Sequence, residues 1–263
     1  MMRLDVYLTV FGHAESRTQA RKLIEEGAVF LGGKLVDKVS LLVDENAGLS
    51  VEIVRQQKYV GRGGLKLERA LEAFSVDVSG LCALDVGAST GGFTDCLLQH
   101  GAALVYAVDA GEGQLSGKLL ADARVISMEK YNARNLSRED FPRTPDMVVM
   151  DVSFISQTLI LPALSKLLRD GGILISLIKP QFEAGRAAVG KNGIVKNGAD
   201  RRYAIERVLN SAAENGLACF GLDVSPILGG DGNVEYIAAF RKGGETVLDH
   251  ARCIALAEWR ERK

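Results

Sequence analysis

Apolar residues recur along this chain in two different ways, and the change from one to the other divides it. From residue 82 onward, short apolar runs at 82–86, 104–108, 125–128, 146–150 and 172–178 alternate with stretches of helical spacing. Helices between successive strands predict parallel pairing and a doubly wound, Rossmann-like α/β sheet. Two later runs, 219–224 and 234–240, have only Pro226 and a glycine-rich turn at 229–232 between them, which predicts an antiparallel hairpin at one edge. That makes seven strands, mostly parallel. The stretch 246–262 is helical in spacing and is expected to pack on the sheet.

The first sixty residues follow another plan. Ser16 with Gln19 forms a capping box, and Ala20, Leu23 and Ile24 then repeat at helical spacing until Gly27, which predicts a helix over 17–26. Residues 28–31 and 34–36 flank Gly32-Gly33, a pair that tolerates the positive φ of a tight hairpin. Helix, hairpin and a following strand make a small α+β unit. Residues 55–64, RQQKYVGRGG, break the periodicity with glycines and cations. The expected division is therefore a domain over 1–58, a linker over 59–64 and a larger domain over 65–263, with a helix starting near Leu65.

Composition narrows the function classes. The 32 basic and 33 acidic residues nearly cancel, so any footprint for nucleic acid has to be local. Arg17 and Arg21 lie four apart on one helix face, with Lys22 beside them and Lys34 and Lys38 arriving from the hairpin. Cys82, Cys96, Cys219 and Cys253 form no paired motif, which argues against zinc or redox chemistry and for a reducing compartment. With no apolar run of about 18 residues, the expectation is a soluble cytoplasmic protein without a membrane partner.

Candidate chemistry gathers where strands end. In LDVGASTGGFTDCLL, Asp85 closes the first strand of the sheet, and Gly87, Gly91 and Gly92 free the backbone before a helix that starts near Phe93. Asp109 ends the next strand, where acidic residues hold ribose hydroxyls. The spacing G-x-x-x-G-G is not the G-x-G-x-x-G of nicotinamide sites, and the acids Asp85 and Asp151 suit a cationic cofactor without phosphate, S-adenosylmethionine. Lys66, Asp151, Lys179 and Glu235 are expected at one edge of the sheet. Lys179 follows a buried run and precedes Pro180, which holds it extended. His13, His100 and His250 fall in no motif.

Two resemblances add to this reading. RLDVYLTVFGHAESRTQARKLIEEGAVFLGGKLVDKVSLLV resembles the S4-type RNA-binding fold, and the likeness implies that Arg3, Arg17, Arg21, Lys22 and Lys34 meet structured RNA. Arg62 of the following segment joins them as an expected RNA contact. GRGGLKLERAL, LDVGASTGGFTDCLL, VVMDVSFIS, LIKPQFE and GNVEY are similar to the TlyA (hemolysin A) family, related to the FtsJ-type 2′-O-methyltransferases. That resemblance implies methylation of a cytidine ribose 2′-hydroxyl in ribosomal RNA or a ribosomal subunit, with Lys66, Asp151, Lys179 and Glu235 as a catalytic tetrad and no metal. A lysine takes the hydroxyl proton only when neutral, so the site has to desolvate it or set a second cation beside it. The cofactor contacts expected are Asp85, Gly87, Ser89, Thr90, Gly91, Gly92, Phe93, Asp109 and Asp151, with either Glu129 or Asn132 at the adenine. Thr90 and Phe93 stand where FtsJ relatives have proline and tryptophan.

The segment 180–202 is read as a substrate loop that orders over RNA, carrying Arg186, Lys191, Lys196, Arg201 and Arg202; an ordinary surface loop is the other reading. Three rival functions remain at this stage: a non-catalytic RNA-binding factor, a membrane-active hemolysin and a small-molecule methyltransferase.

Overall fold

The computed structural model describes residues 1–25, 27–45, 47–53, 58–229, 232–245 and 250–258, with side chains for all of these but 250 and 251. The chain forms two compact units, Met1–Lys58 and Tyr59–Lys263.

In the first unit, β1 (Met2–Arg3) leads into α1 (Leu4–Val10), followed by α2 (Arg17–Glu25) and the strands β2 (Val29–Leu31), β3 (Lys34–Leu35), β4 (Leu42–Val43) and β5 (Val51–Ile53). β2 pairs antiparallel with β3 and with β5, so the expected hairpin and third strand form one sheet. Leu4, Tyr7 and Leu8 of α1 pack with Ala20 and Ile24 of α2 and Val29 of β2. Ser16 caps α2 by accepting from the Gln19 N–H at 3.2 Å, but Gln19 reaches back to the N–H of Glu15 at 2.6 Å rather than to that of Ser16. The box is displaced by one residue.

The second unit begins with α3 (Gly63–Ala73), then alternates β6 (Cys82–Val86), α4 (Gly92–Gln99), β7 (Leu104–Val108), α5 (Gly117–Leu120), β8 (Val125–Met128), β9 (Met147–Met150), α6 (Leu161–Leu167), β10 (Ile173–Ile178), α7 (Pro180–Glu183) and α8 (Gly198–Glu214), and closes with β11 (Leu217–Val224), β12 (Tyr236–Lys242) and α9 (His250–Ala257). The seven strands are ordered β11-β12-β10-β9-β6-β7-β8. β12 runs antiparallel to both neighbours, and the other pairs are parallel. Successive β6 residues feed opposite faces: Cys82, Leu84 and Val86 enter one core, and Ala83 enters the other with Leu67, Phe93 and Leu97.

Two expectations need adjustment. Residues 59–64 are not a free connector, because Tyr59 is only 2% exposed within the second unit's core and α3 already begins at Gly63. Gly64 owes its place to that packing: a Cβ there would stand 2.3 Å from the Tyr59 ring. The segment 180–202 contains α7, a 3-10 turn at Arg186–Ala188 and the start of α8. Within it Arg201 is buried, its guanidinium donating to the carbonyls of Ala257 and Lys196, so that cation is structural. Of the expected turn at 229–232 and the helix at 246–262, residues 230–231, 246–249 and 259–262 lie outside the described residues.

Candidate active site

The strand order reverses between β6 and β9, and in sheets of this kind the carboxyl ends at the reversal border the ligand crevice. Gly87 follows β6 with φ +85°, and a Cβ on it would meet the Asp151 carbonyl oxygen at 2.5 Å, so only glycine lets the two strand ends approach this closely. Ser89 holds φ +48°, a conformation costly for a non-glycine residue, and its N–H donates to Asp109 Oδ2 at 2.7 Å. Asp109 Oδ1 accepts from Gly111 N–H at 2.7 Å. The carboxylate after β7 thus pins the glycine loop after β6, while its remaining lone pairs stay available to a ligand.

A cavity of about 400 Å³ opens here, lined by Gly87, Ser89, Asp109, Asn132, Asp151 and Phe154 among others. Its described lining holds two carboxylates and no lysine or arginine. That donor set fits a cationic nucleoside cofactor and is wrong for a pyrophosphate. Behind it Asp85 is fully buried; Thr94 Oγ1 donates to its Oδ2 at 2.6 Å, and Oδ1 has no hydrogen-bond partner. Burial pushes this carboxyl up to about 7, against the pull of the Thr94 hydrogen bond and with the help of the Asp151 charge.

A second cavity of about 230 Å³ shares Gly87, Ser89, Asp151 and Ser153 with the first and adds Gly61, Arg62, Thr90, Gly92, Phe93 and Lys179. Sheet register explains what collects at its edge. Ile178 pairs with Tyr236 at the end of the ladder, so Lys179, just after β10, and Glu235, just before β12, leave the sheet at the same edge. Lys179 Nζ stands 2.5 Å from Asp151 Oδ1 as an ion pair and donates to Ser153 Oγ at 2.9 Å. Lys66, on α3, donates to Glu235 Oε2 at 2.5 Å. At the start of the same helix, a Cβ on Gly63 would lie 3.9 Å from Asp151 Oδ2, which brings α3 to the other pair. Lys66, Lys179 and Glu235 are all at least nine-tenths buried.

The chain belongs to the FtsJ-like methyltransferase family. The model of that family matches residues 59–242, and an S4 domain matches residues 2–48. YqxC of Bacillus subtilis is 46% identical over 92% of this chain and 86% of its own length. The 16S/23S rRNA (cytidine-2′-O)-methyltransferase TlyA of Mycobacterium tuberculosis is 42% identical, covering 94% of this chain and 92% of its own. A solved structure from Streptococcus thermophilus shares 44% identity with a TM-score of 0.76, over 97% of this chain and 94% of that one.

Within this FtsJ-like unit the sequence-expected cofactor residues separate into groups. Gly87, Ser89, Asp109, Asn132 and Asp151 line the larger cavity, and Thr90, Gly92 and Phe93 line the smaller. Gly91 caps α4 with φ +95° and packs under Leu119, so its part is conformational. Between the two adenine candidates, Asn132 borders the cavity, whereas the Glu129 carboxylate accepts from the Gly113 N–H at 2.9 Å and holds a turn. Sequence reasoning missed Ser153, Tyr131 and Phe154. Phe154 is 93% exposed with φ +63°, and its ring lies 5.3 Å from that of Phe182. An exposed aromatic in a strained conformation at a cavity mouth is a functional signal that no periodicity carries.

In the S4 unit Arg3, Arg17, Arg21, Lys22 and Lys34 are exposed. Arg3 and Arg17 converge on buried Asp5, each at 2.9 Å. Although burial pushes that carboxyl up, the two guanidiniums bring it down to about 2. Asp5 thereby fixes both arginines at the surface. Arg62, the remaining expected RNA contact, belongs to the second unit and lines the smaller cavity.

Proposed function

We propose that this chain methylates the ribose 2′-hydroxyl of cytidine in ribosomal RNA, with S-adenosylmethionine as methyl donor and Lys66, Asp151, Lys179 and Glu235 as the working side chains. The observation that carries the reading is the Lys179–Asp151 ion pair at the edge shared by two cavities, one of nucleoside size and phosphate-averse lining. The relative named for cytidine-2′-O-methylation of 16S and 23S rRNA supports the substrate class.

The cofactor supplies a methyl group already activated on a sulfonium. Asp109 would hold its ribose hydroxyls, Asn132 its base, and Asp151 the positive methionine end, with Asp85 behind it. Lys179 Nζ orients the target hydroxyl and takes its proton. Asp151 and Ser153 aim that amine, and Lys66 is held by Glu235, just before β12, the strand paired with β10. Exposed Arg21, Lys22 and Lys34 of the S4 unit, with Arg62, would track the phosphate backbone. Ribosomal RNA or a ribosomal subunit in the cytoplasm is the partner this implies.

Tritiated methyl transfer to unmodified ribosomal RNA and to subunits, followed by mapping of the labelled nucleotide, tests the reading. Lys179→Ala is expected to keep cofactor affinity and lose at least about a hundredfold in transfer rate. Label on a base, or equal rates for the variant and the parent, would refute it.

A further inference from the structure

The loop that runs from Asp151 to Gln157 carries both groups that touch Lys179. Its first residue is held by the sheet, where Asp151 N–H donates to the Val86 carbonyl at 3.0 Å. Its far end is held by a buried polar cluster that the reaction itself does not use. Glu183, 2% exposed at the end of α7, accepts from Ser156 Oγ at 2.5 Å through Oε2 and from Gln157 N–H at 2.8 Å through Oε1. Gln157, 1% exposed, donates its side-chain amide to the Leu177 carbonyl at 3.1 Å and accepts from Ser176 Oγ through Oε1. Arg207 Nη1, from α8, donates to the Glu183 carbonyl at 2.6 Å and so anchors α7 itself.

Apart from that anchor, every one of these side-chain bonds ties the loop after β9 to the segment that carries Lys179. Ser176 and Leu177 precede the lysine in β10, and Glu183 follows it by one turn begun at Pro180, whose ring fixes φ. A carboxylate buried without a cationic side chain bonded to it costs stability, and burial pushes Glu183 up from its ordinary value despite the Ser156 and Gln157 hydrogen bonds. A core residue needed only for packing would serve better as an apolar one.

We propose that Glu183, acting with Ser156 and Gln157, is a positioning residue for the transfer step: it clamps the 151–157 loop against β10 so that Asp151 and Ser153 hold the Lys179 amine at its working angle. The assignment rests on the proposed methyl transfer for its kinetic readout but not for its structural one. A misplacement of about 1 Å at reacting groups is worth about a hundredfold in rate, so a loosened clamp is visible in turnover before it is visible in binding.

The test is steady-state methyl transfer by Glu183→Ala, Glu183→Gln and Ser156→Ala in the full chain, with cofactor dissociation constants, thermal melts and a crystal structure of each. Glutamine keeps an acceptor for the Gln157 N–H and offers an amide to Ser156 Oγ, so Glu183→Gln is expected to retain at least about half of the parent kcat. Glu183→Ala is expected to lose about tenfold or more in kcat, with cofactor affinity weakened by clearly less, and its structure to show Lys179 Nζ out of hydrogen-bond reach of Ser153 Oγ. Ser156→Ala severs one of the links to Glu183, together with the bonds of Ser156 Oγ to Thr158, and a fall of about threefold in kcat is expected should the alanine variant at 183 not fold. Parental kcat in folded Glu183→Ala or Ser156→Ala, or an unmoved Lys179 in their structures, overturns the clamp. Absence of transfer by the parent chain on every RNA tried would defeat the methyltransferase reading instead, and the position of Lys179 would still decide this one.

Discussion

Desolvating an ammonium costs several kcal/mol, so a lysine below a tenth of its exposure needs a carboxylate against it. Lys66 has Glu235, and Lys179 has Asp151. Removing one member strands the other: Glu235→Ala is expected to cost about 3–5 kcal/mol in a urea melt. Replacing the pair together, Lys66→Met with Glu235→Leu, should restore most of that stability and none of the methyl transfer, because packing is regained and the second charge is not. Phe154 belongs to this scale too. Stacking on an exposed ring is worth about 1–3 kcal/mol per base, so Phe154→Ala should raise the apparent KM for RNA about tenfold and weaken cofactor affinity by less, the ring also bordering the larger cavity. The four charged positions were legible because each lies beside a recognisable strand run or glycine segment. Phe154 and Glu183 were not, since in sequence one looks like an ordinary core aromatic and the other like a surface acid, whereas in the fold the first is bare and the second buried.

Among elements, the junction of β6 with α4 carries the most consequence. Gly87→Ala would need both a φ of +85° and room where the Asp151 carbonyl already lies, so it should cost about 1–3 kcal/mol and abolish tight cofactor binding by calorimetry. Asp85, on the same strand, links stability to pH. Its carboxyl is raised from an ordinary 3.8 to about 7, so the folded state holds a proton that the unfolded chain has released. The sign follows: stability is full below about pH 4 as far as this group is concerned, and declines as pH rises toward about 7, by a few kcal/mol. Asp85→Asn should flatten that part of the profile in denaturant melts at pH 5 to 8. The strands were readable because buried parallel strands are continuous apolar runs. Helix α1 was not, because its seven residues include β-branched Val6, Thr9 and Val10, and Arg3 before it provides no side-chain cap; its burial against α2 forms it.

At the scale of the molecule, near-neutral composition hides a local group of exposed cations in the S4 unit. Arg21→Glu with Lys34→Glu should weaken RNA binding about tenfold or more and make its dependence on salt shallower by roughly one unit of log–log slope for each phosphate no longer neutralised, while the cofactor dissociation constant stays fixed. The division into two units was legible from the change of period near residue 60; what was not legible is that the glycines of 61–64, which look like slack, are close packing against Tyr59, Thr90 and Phe93.

The paired lysines and carboxylates have an outcome for the living cell. Each of the two lysines is matched by a carboxylate, so on the proposed reading these four side chains add little net attraction for a polyanion, and the grip on the target would come from other cations, Arg62 and those of the S4 unit among them. A chain crippled only at Lys179 would therefore still dock, occupying its target without marking it and shutting out working copies. Overproduced beside the intact protein, such a chain should behave as a dominant poison rather than as a silent null.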